Sequence, residues 1–188
     1  MLHAWKRLST QVRFRNPWWE YRIDRFQLKS GKQGEYHYMH TLGGVTVIPV
    51  TDEGRILCVS QYRYLLDRDS LEFPGGGIKL GQAPEEAARG ELSEETGFEA
   101  RTLRLIGTFA TDAGLLDETG YVFLGTCLIP KPAAADETEE FELVSLLPEE
   151  VDSRIASGGL FNGYALAAWA IAKPHVFALL AAAQPLSA

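Results

Sequence analysis

Hydrophobic β-branched and aromatic residues, interleaved with polar ones, concentrate in "YRIDRFQL" (21–28) and in "EYHYMHTLGGVTVIPV" (35–50), separated by the turn-forming stretch "KSGKQGE". Such residues predict strands, with a turn between them. "RILCVSQYRY", after the turn "TDEG", predicts another strand, as do "LRLIGTFAT" and "GYVFLGTCLI" further on and "EEFELVSLLP" later still. The pattern changes to helical over "PEEVDSRIAS" and "NGYALAAWAIAK", whose starts suit Pro148 and Asn162. Between the strand groups lies "GGGIKLGQAPEEAARGELSEETGF" (75–98), which reads as a loop of Pro74 and three glycines followed by a helix. Pro84 suits its first turn, Glu85 and Glu86 suit the positive end of its dipole, Ala88 and Leu92 form a core stripe, and Gly97 suits its stop. Strands and helices alternate irregularly, which predicts an α/β chain with a mixed sheet packed by helices on both sides.

Composition narrows the function classes. The chain has 188 residues and a formal net charge of -7. That length suits one domain or a domain with a small appendage, and the charge argues against non-specific nucleic-acid binding. Cys58 and Cys127 both lie in apolar runs, read as small buried hydrophobes, and have no metal-type spacing. "MLHAWKRLST" has no apolar core of the kind a signal peptide carries. Lys173, Pro174 and His175 interrupt the apolar stretches "YALAAWAIAK" and "HVFALLAAA", so no bilayer-spanning run is expected. These features lead to the expectation of a soluble, cytoplasmic protein that acts on neither membrane nor nucleic acid.

The chemistry concentrates in the glycine-led helix. Glu91, Glu94 and Glu95 stand at i, i+3 and i+4 and so share one face, with no lysine among them. Gly90 beside them costs a helix roughly 1 kcal/mol against alanine. A solvated acidic face is one use of such a pattern. A hard divalent cation is the other, since Mg²⁺ takes carboxylate and carbonyl oxygens and keeps several waters.

The same segment resembles the Nudix box, G-x5-E-x7-R-E-U-x-E-E-x-G-U, with U a bulky apolar residue. Gly76, Glu91, Leu92, Glu94, Glu95, Gly97 and Phe98 match it, while Gln82 and Gly90 replace its early glutamate and its arginine. "VSQYRYLLDRDSLEFPGGGI", "DETEEFELVSL" and "ASGGLFNGYALAAWAIAK" extend the resemblance over roughly residues 18–172, toward the ADP-ribose pyrophosphatase branch. It implies an α/β/α sandwich with a mixed sheet and N-terminal strands exchanged between the protomers of a homodimer. The corresponding division is 1–42 for the N-terminal strands, 43–182 for the hydrolase domain and 183–188 for a frayed tail. It further implies Mg²⁺- or Mn²⁺-dependent hydrolysis of a nucleoside diphosphate sugar to a nucleoside monophosphate and a sugar phosphate. GDP-sugars and other nucleoside diphosphate derivatives are alternative substrates, and a non-catalytic nucleotide-sugar sensor is the rival outside enzymes, kept alive by Gln82 and Gly90.

Carried over by position, Glu91, Glu95 and the Gly75 carbonyl are the implied metal ligands, with Glu94 beside them as ligand and catalytic group. The resemblance places the water-positioning base in "AAADETEEFEL", at Glu137 or Glu139, where a merely solvated acidic loop is the alternative. Arg63 suits a phosphate through its bidentate fork, or is a surface arginine at a strand end. Glu72 suits a substrate hydrogen bond or an ion pair to Arg63. Glu118 stands where related enzymes place a substrate-contacting glutamate behind an "SPG" loop, but this chain has "DAG" there. Trp18, Trp19 and Tyr21 suit stacking on a base, with Trp19 the favoured contact; core or dimer packing is their other use. His37 and His40, three apart on a strand, point to opposite faces and make a poor metal pair.

Overall fold

The computed structural model describes residues 5–131 and 141–183. Among the described residues, ten strands and three α-helices follow in chain order: β1 Lys6–Arg15, β2 Glu20–Gln27, β3 Gln33–His40, β4 Gly44–Pro49, β5 Ile56–Arg63, β6 Arg68–Glu72, β7 Gly75–Gly77, α1 Pro84–Thr96, β8 Phe98–Ala110, β9 Thr119–Pro130, β10 Glu142–Leu146, α2 Pro148–Ala156 and α3 Gly163–Ala183. They divide into two compact units. One runs up to Gly43 and includes Ala110–Thr119; the other comprises Gly44–Phe109 and the chain from Gly120 onward.

The first unit is built on the antiparallel sheet β1-β2-β3. β1 was not expected. Its sequence, KRLSTQVRFR, is exposed at every position, so no buried face marks it, and it forms because β2 offers a ladder of backbone partners from Lys6 to Arg15, shifted at Leu8 and Arg13. The stretch read as one continuous run from 35 to 50 breaks at Gly43, which takes a φ of 102° open to glycine and ends the first unit.

The second unit holds the four-stranded sheet β7-β4-β9-β8, in which β4 and β9 run parallel and β4 and β7 antiparallel, and a three-stranded sheet β10-β5-β6. The alternation along β4 sets the two layers. Val45 and Val47 pack with Ala87, Ala88 and Leu92 of α1, while Ile48 and Val50 join the cluster of Trp169, Ala172 and Val176 from α3. β9 repeats the pattern, Phe123 toward α1 and Val122 and Leu124 toward α3. Helices therefore cover both faces of a mixed sheet, as the alternation predicts.

Three local expectations are corrected. The three glycines do not form a loop: Gly75, Gly76 and Gly77 pair as a short strand with Thr46, Val45 and Gly44. α3 does not stop at Lys173 but continues through Pro174 to Ala183. It is thereby long and apolar enough to span a bilayer by length and composition, against the expectation from sequence. Its residues Ala165, Ala168, Trp169, Ala172 and Val176 are buried within this unit. Cys127 is exposed and adopts a φ of 54°, so only Cys58 is a buried thiol, its pKa pushed up to about 12 by burial.

Candidate active site

α1 forms as its sequence dictates. Pro84 occupies the first helical turn with Glu85 and Glu86, and Gly97 closes the helix at a φ of 71°, its N–H donating to Ser93 O at 3.0 Å. Ala87, Ala88 and Leu92 are buried, which fixes the roll of the helix. Glu91 and Glu95 are then half-buried and turned toward β7, and Glu94 is exposed. The Gly75 N–H donates to Glu95 Oε2 at 3.1 Å. A Cβ at Gly76 would stand 2.5 Å from Glu91 Oε1, so glycine there keeps the room that the Glu91 carboxylate occupies. Gly75 is required for another reason: its Cβ would lie 2.2 Å from the Val45 carbonyl oxygen, across the β4–β7 ladder. The glycine run is thus a strand thin enough to bring backbone against the glutamate face.

Among the described residues, no group of three or more His, Cys, Asp or Glu side chains is placed to hold a metal. What fits a hard divalent cation is the chemistry of the donors and the space around them. Three carboxylates and the glycine backbone offer only oxygen, and Gly76 leaves the Glu91 carboxylate uncrowded. The two departures from the box pattern also have places. Gln82 is folded into its own turn: its N–H donates to Lys79 O and its Oε1 accepts from Lys79 N–H, both at 3.0 Å. A Cβ at Gly90 would meet only Glu94 Oε1, at 3.7 Å, outside the helix's own backbone. Neighbouring Arg89 donates to Glu85 Oε1 and to the Ala100 carbonyl, and so is committed away from the glutamates.

β5 and β6 place Arg63 and Glu72. The guanidinium donates to both carboxylate oxygens, Nε to Oε1 at 2.7 Å and Nη2 to Oε2 at 2.5 Å. Glu72 is 5% exposed and its partner is only half-covered. The pair is a fork whose buried carboxylate orients the arginine. The short connection after Arg63 is a 3-10 turn, Tyr64–Leu66, closed by Asp67.

Trp19 and Glu118 belong to the other unit. Trp19 packs against Phe14, ring centroids 5.4 Å apart, beside a cavity of about 430 Å³ that Tyr21, His37 and Met39 also line. Trp18 stands 78% exposed. Glu118 Oε1 accepts from the Thr41 hydroxyl at 2.8 Å, and it lines a second cavity of about 430 Å³ with Arg7, Asp24 and Tyr36. His37 and His40 part as expected: His37 Nδ1 contacts the Tyr21 hydroxyl at 2.6 Å, and His40 Nδ1 contacts Asp117 at 2.8 Å. Thr41 and Asp117 were missed from the sequence. Thr41 and Glu118 lie 77 residues apart, so no spacing marks the pair. Glu137 and Glu139 lie outside the described residues.

The chain matches the NUDIX domain family over residues 40–161. It is 34% identical over 142 residues to an ADP-ribose pyrophosphatase of Bacillus subtilis, covering 74% of this chain and 77% of that protein. It is 32% identical over 147 residues to a methanol dehydrogenase activator of Bacillus methanolicus, covering 77% and 80%. Among solved structures, one described as an ADP compounds hydrolase matches with a TM-score of 0.82 at 19% identity, over 95% of this chain and 97% of that one.

Proposed function

The chain belongs to the NUDIX family of hydrolases, and from that premise we propose that it cleaves the pyrophosphate of a nucleoside diphosphate sugar of the ADP-ribose kind. Water adds across one P–O–P bond, and the products are a nucleoside monophosphate and a sugar phosphate. The observation that carries this reading is the glutamate face turned onto a glycine strand, with Glu95 anchored on the Gly75 N–H and room kept for Glu91 by Gly76. Similarity to an ADP-ribose pyrophosphatase over three quarters of the chain supports the substrate class.

Glu91, Glu95, Glu94 and the Gly75 carbonyl would hold Mg²⁺ or Mn²⁺, which when bound neutralises pyrophosphate charge and acidifies a water. The remaining work falls to side chains. Arg63, oriented by Glu72, meets a phosphate oxygen with its planar guanidinium. Glu137 or Glu139 takes a proton from the attacking water, Trp19 stacks on the base, and Glu118 accepts from a sugar hydroxyl. The rival reading is a sensor that binds without cleaving. It is favoured by Gln82, whose side chain closes a turn instead of reaching the glutamates.

One experiment separates the two. Phosphate release through a coupled phosphatase is followed over a panel of ADP-, GDP- and UDP-sugars, with Mg²⁺, with Mn²⁺ and with EDTA. Metal-dependent release of monophosphate from ADP-ribose is expected. Glu95→Gln should lower turnover at least about 100-fold, beyond the usual cost of losing a group that only orients a ligand. Its melting temperature in EDTA should be equal or higher, since glutamine can still accept from the Gly75 N–H and a like-charge repulsion is gone. Binding of ADP-ribose with no release under any metal would establish the sensor.

A further inference from the structure

The segment Thr111–Thr119 is fastened to β3 and the residues after it along its length. The Tyr36 hydroxyl donates to Gly114 O at 2.8 Å, Met39 N–H donates to Leu115 O at 2.9 Å, and Asp117 N–H donates to Met39 O at 3.3 Å. His40 Nδ1 lies 2.8 Å from Asp117 Oδ2. Thr41 Oγ1 donates to Glu118 Oε1 at 2.8 Å. The segment braces itself through Asp112, which accepts from Gly114 N–H by its side chain and from Leu115 and Leu116 by its carbonyl. The "DAG" turn, whose contacts the sequence left open, is therefore ordered by an aspartate that caps it.

Thr41 stands apart in this set because its hydroxyl is committed at both ends. It accepts from Gly43 N–H at 3.1 Å, and that leaves its single hydrogen for Glu118. One carboxylate oxygen of Glu118 is fixed by this bond, and among the described residues no hydrogen bond holds the other. The carboxylate borders a cavity of mixed lining, in which Arg7, Asp24, Tyr36 and Asp117 supply polar groups beside Ala110, Ala113 and Leu116. Such a lining suits the vicinal hydroxyls of a sugar, which donate to carboxylates.

We infer that Thr41 is a positioning residue: the chain Gly43 N–H to Thr41 hydroxyl to Glu118 holds one carboxylate oxygen so that the other meets a substrate hydroxyl. The inference rests on the proposed function for the identity of that substrate. A carboxylate fixed in advance loses no rotamer freedom on binding, so the benefit falls on substrate affinity and not on the chemical step.

The test compares Thr41→Val, Thr41→Ser, Glu118→Gln and the double variant Thr41→Val/Glu118→Gln, with ADP-ribose as substrate and, in EDTA, as a calorimetric ligand. Thr41→Val should raise KM about tenfold with kcat within about twofold, the loss of one oriented hydrogen bond to a charged group. Thr41→Ser should restore KM to within about twofold. The double variant should be no worse than Glu118→Gln alone, because two residues acting through one contact are not additive. An unchanged KM in Thr41→Val, a serine variant as impaired as the valine one, or additive effects in the double variant would each overturn the inference. Equal losses of kcat and melting temperature would do so too, marking a structural threonine. If wild type binds ADP-ribose but releases nothing, the hydrolytic reading fails and the same four comparisons are read by calorimetry. If it neither binds nor cleaves any panel member, both readings fall.

Discussion

At the scale of single residues, the glutamate face shows what a short motif can and cannot specify. Its positions were legible because helical periodicity alone places Glu91 and Glu95 on one side, and the buried Ala87, Ala88 and Leu92 then decide which way that side turns. Gly90 is the open question at this scale. It has no steric reason to be glycine, since a Cβ would meet only Glu94 Oε1 at 3.7 Å. Gly90→Ala should therefore raise stability by about 1 kcal/mol, from helix propensity alone. Gly90→Arg should add stability and also raise turnover over Gly90→Ala, because a guanidinium there reaches Glu94, whereas Arg89 is engaged by Glu85 and Ala100. Thermal melts and steady-state rates on both variants decide the matter. An arginine variant that melts higher but turns over more slowly would mean that mobility of Glu94 serves the reaction. The Thr41–Glu118 bond lies at the opposite limit of legibility. Its partners are 77 residues apart, and neither flanking sequence announces the other.

At the scale of elements, the pattern failed where side chains carry no signal or where a local rule was overridden. β7 is three glycines, so nothing alternates, and it is recognised only by the ladder it makes with β4. β1 has no buried face to alternate against. α3 passes through Pro174 although proline removes one backbone hydrogen bond and crowds the preceding turn; burial of Trp169, Ala172 and Val176 on either side of it offsets that cost. The middle of α2 is tied to α3 by Asp152, which accepts from Trp169 Nε1 and from Lys173 Nζ, each at 2.8 Å. The Lys173 hydrogen bond first, and the Trp169 one second, hold the Asp152 carboxyl below its usual range against the opposing effect of burial. A lowered folded value means stability that is present above the unfolded pKa, near 4, and lost as pH falls through the folded one. Asp152→Asn keeps the acceptor for the indole and removes the charge. It should cost about 0.2–1 kcal/mol near neutral pH, as suits a carboxylate that is 38% exposed. The gap to wild type should close below about pH 4, and melting curves from pH 2.5 to 7 would reveal a gap that instead stays constant.

At the scale of the whole molecule, the helix-covered mixed sheet is as the alternation and the family resemblance imply. The expectation of a homodimer is a prediction at this scale. β1 is exposed along its whole length, with Leu8, Val12 and Phe14 each 42–53% exposed, more apolar surface than an edge strand ordinarily leaves in water. Sedimentation at micromolar concentration should find a dimer, and a monomer there would remove the second copy from the account. The first unit is also discontinuous in sequence, since residues 44–109 separate its strands from Ala110–Thr119. During synthesis at roughly 5–20 residues per second, β3 leaves the ribosome on the order of 3–13 s before the segment that it must fasten. For that interval the Met39 backbone, the Thr41 hydroxyl and the edge of β3 have no completed partner, and the nascent chain displays an open ladder. The N-terminal strands come first in order of manufacture and are among the last to be finished. A ribosome stall within 44–109 would leave them as a half-built template, ready to pair with the next chain to emerge.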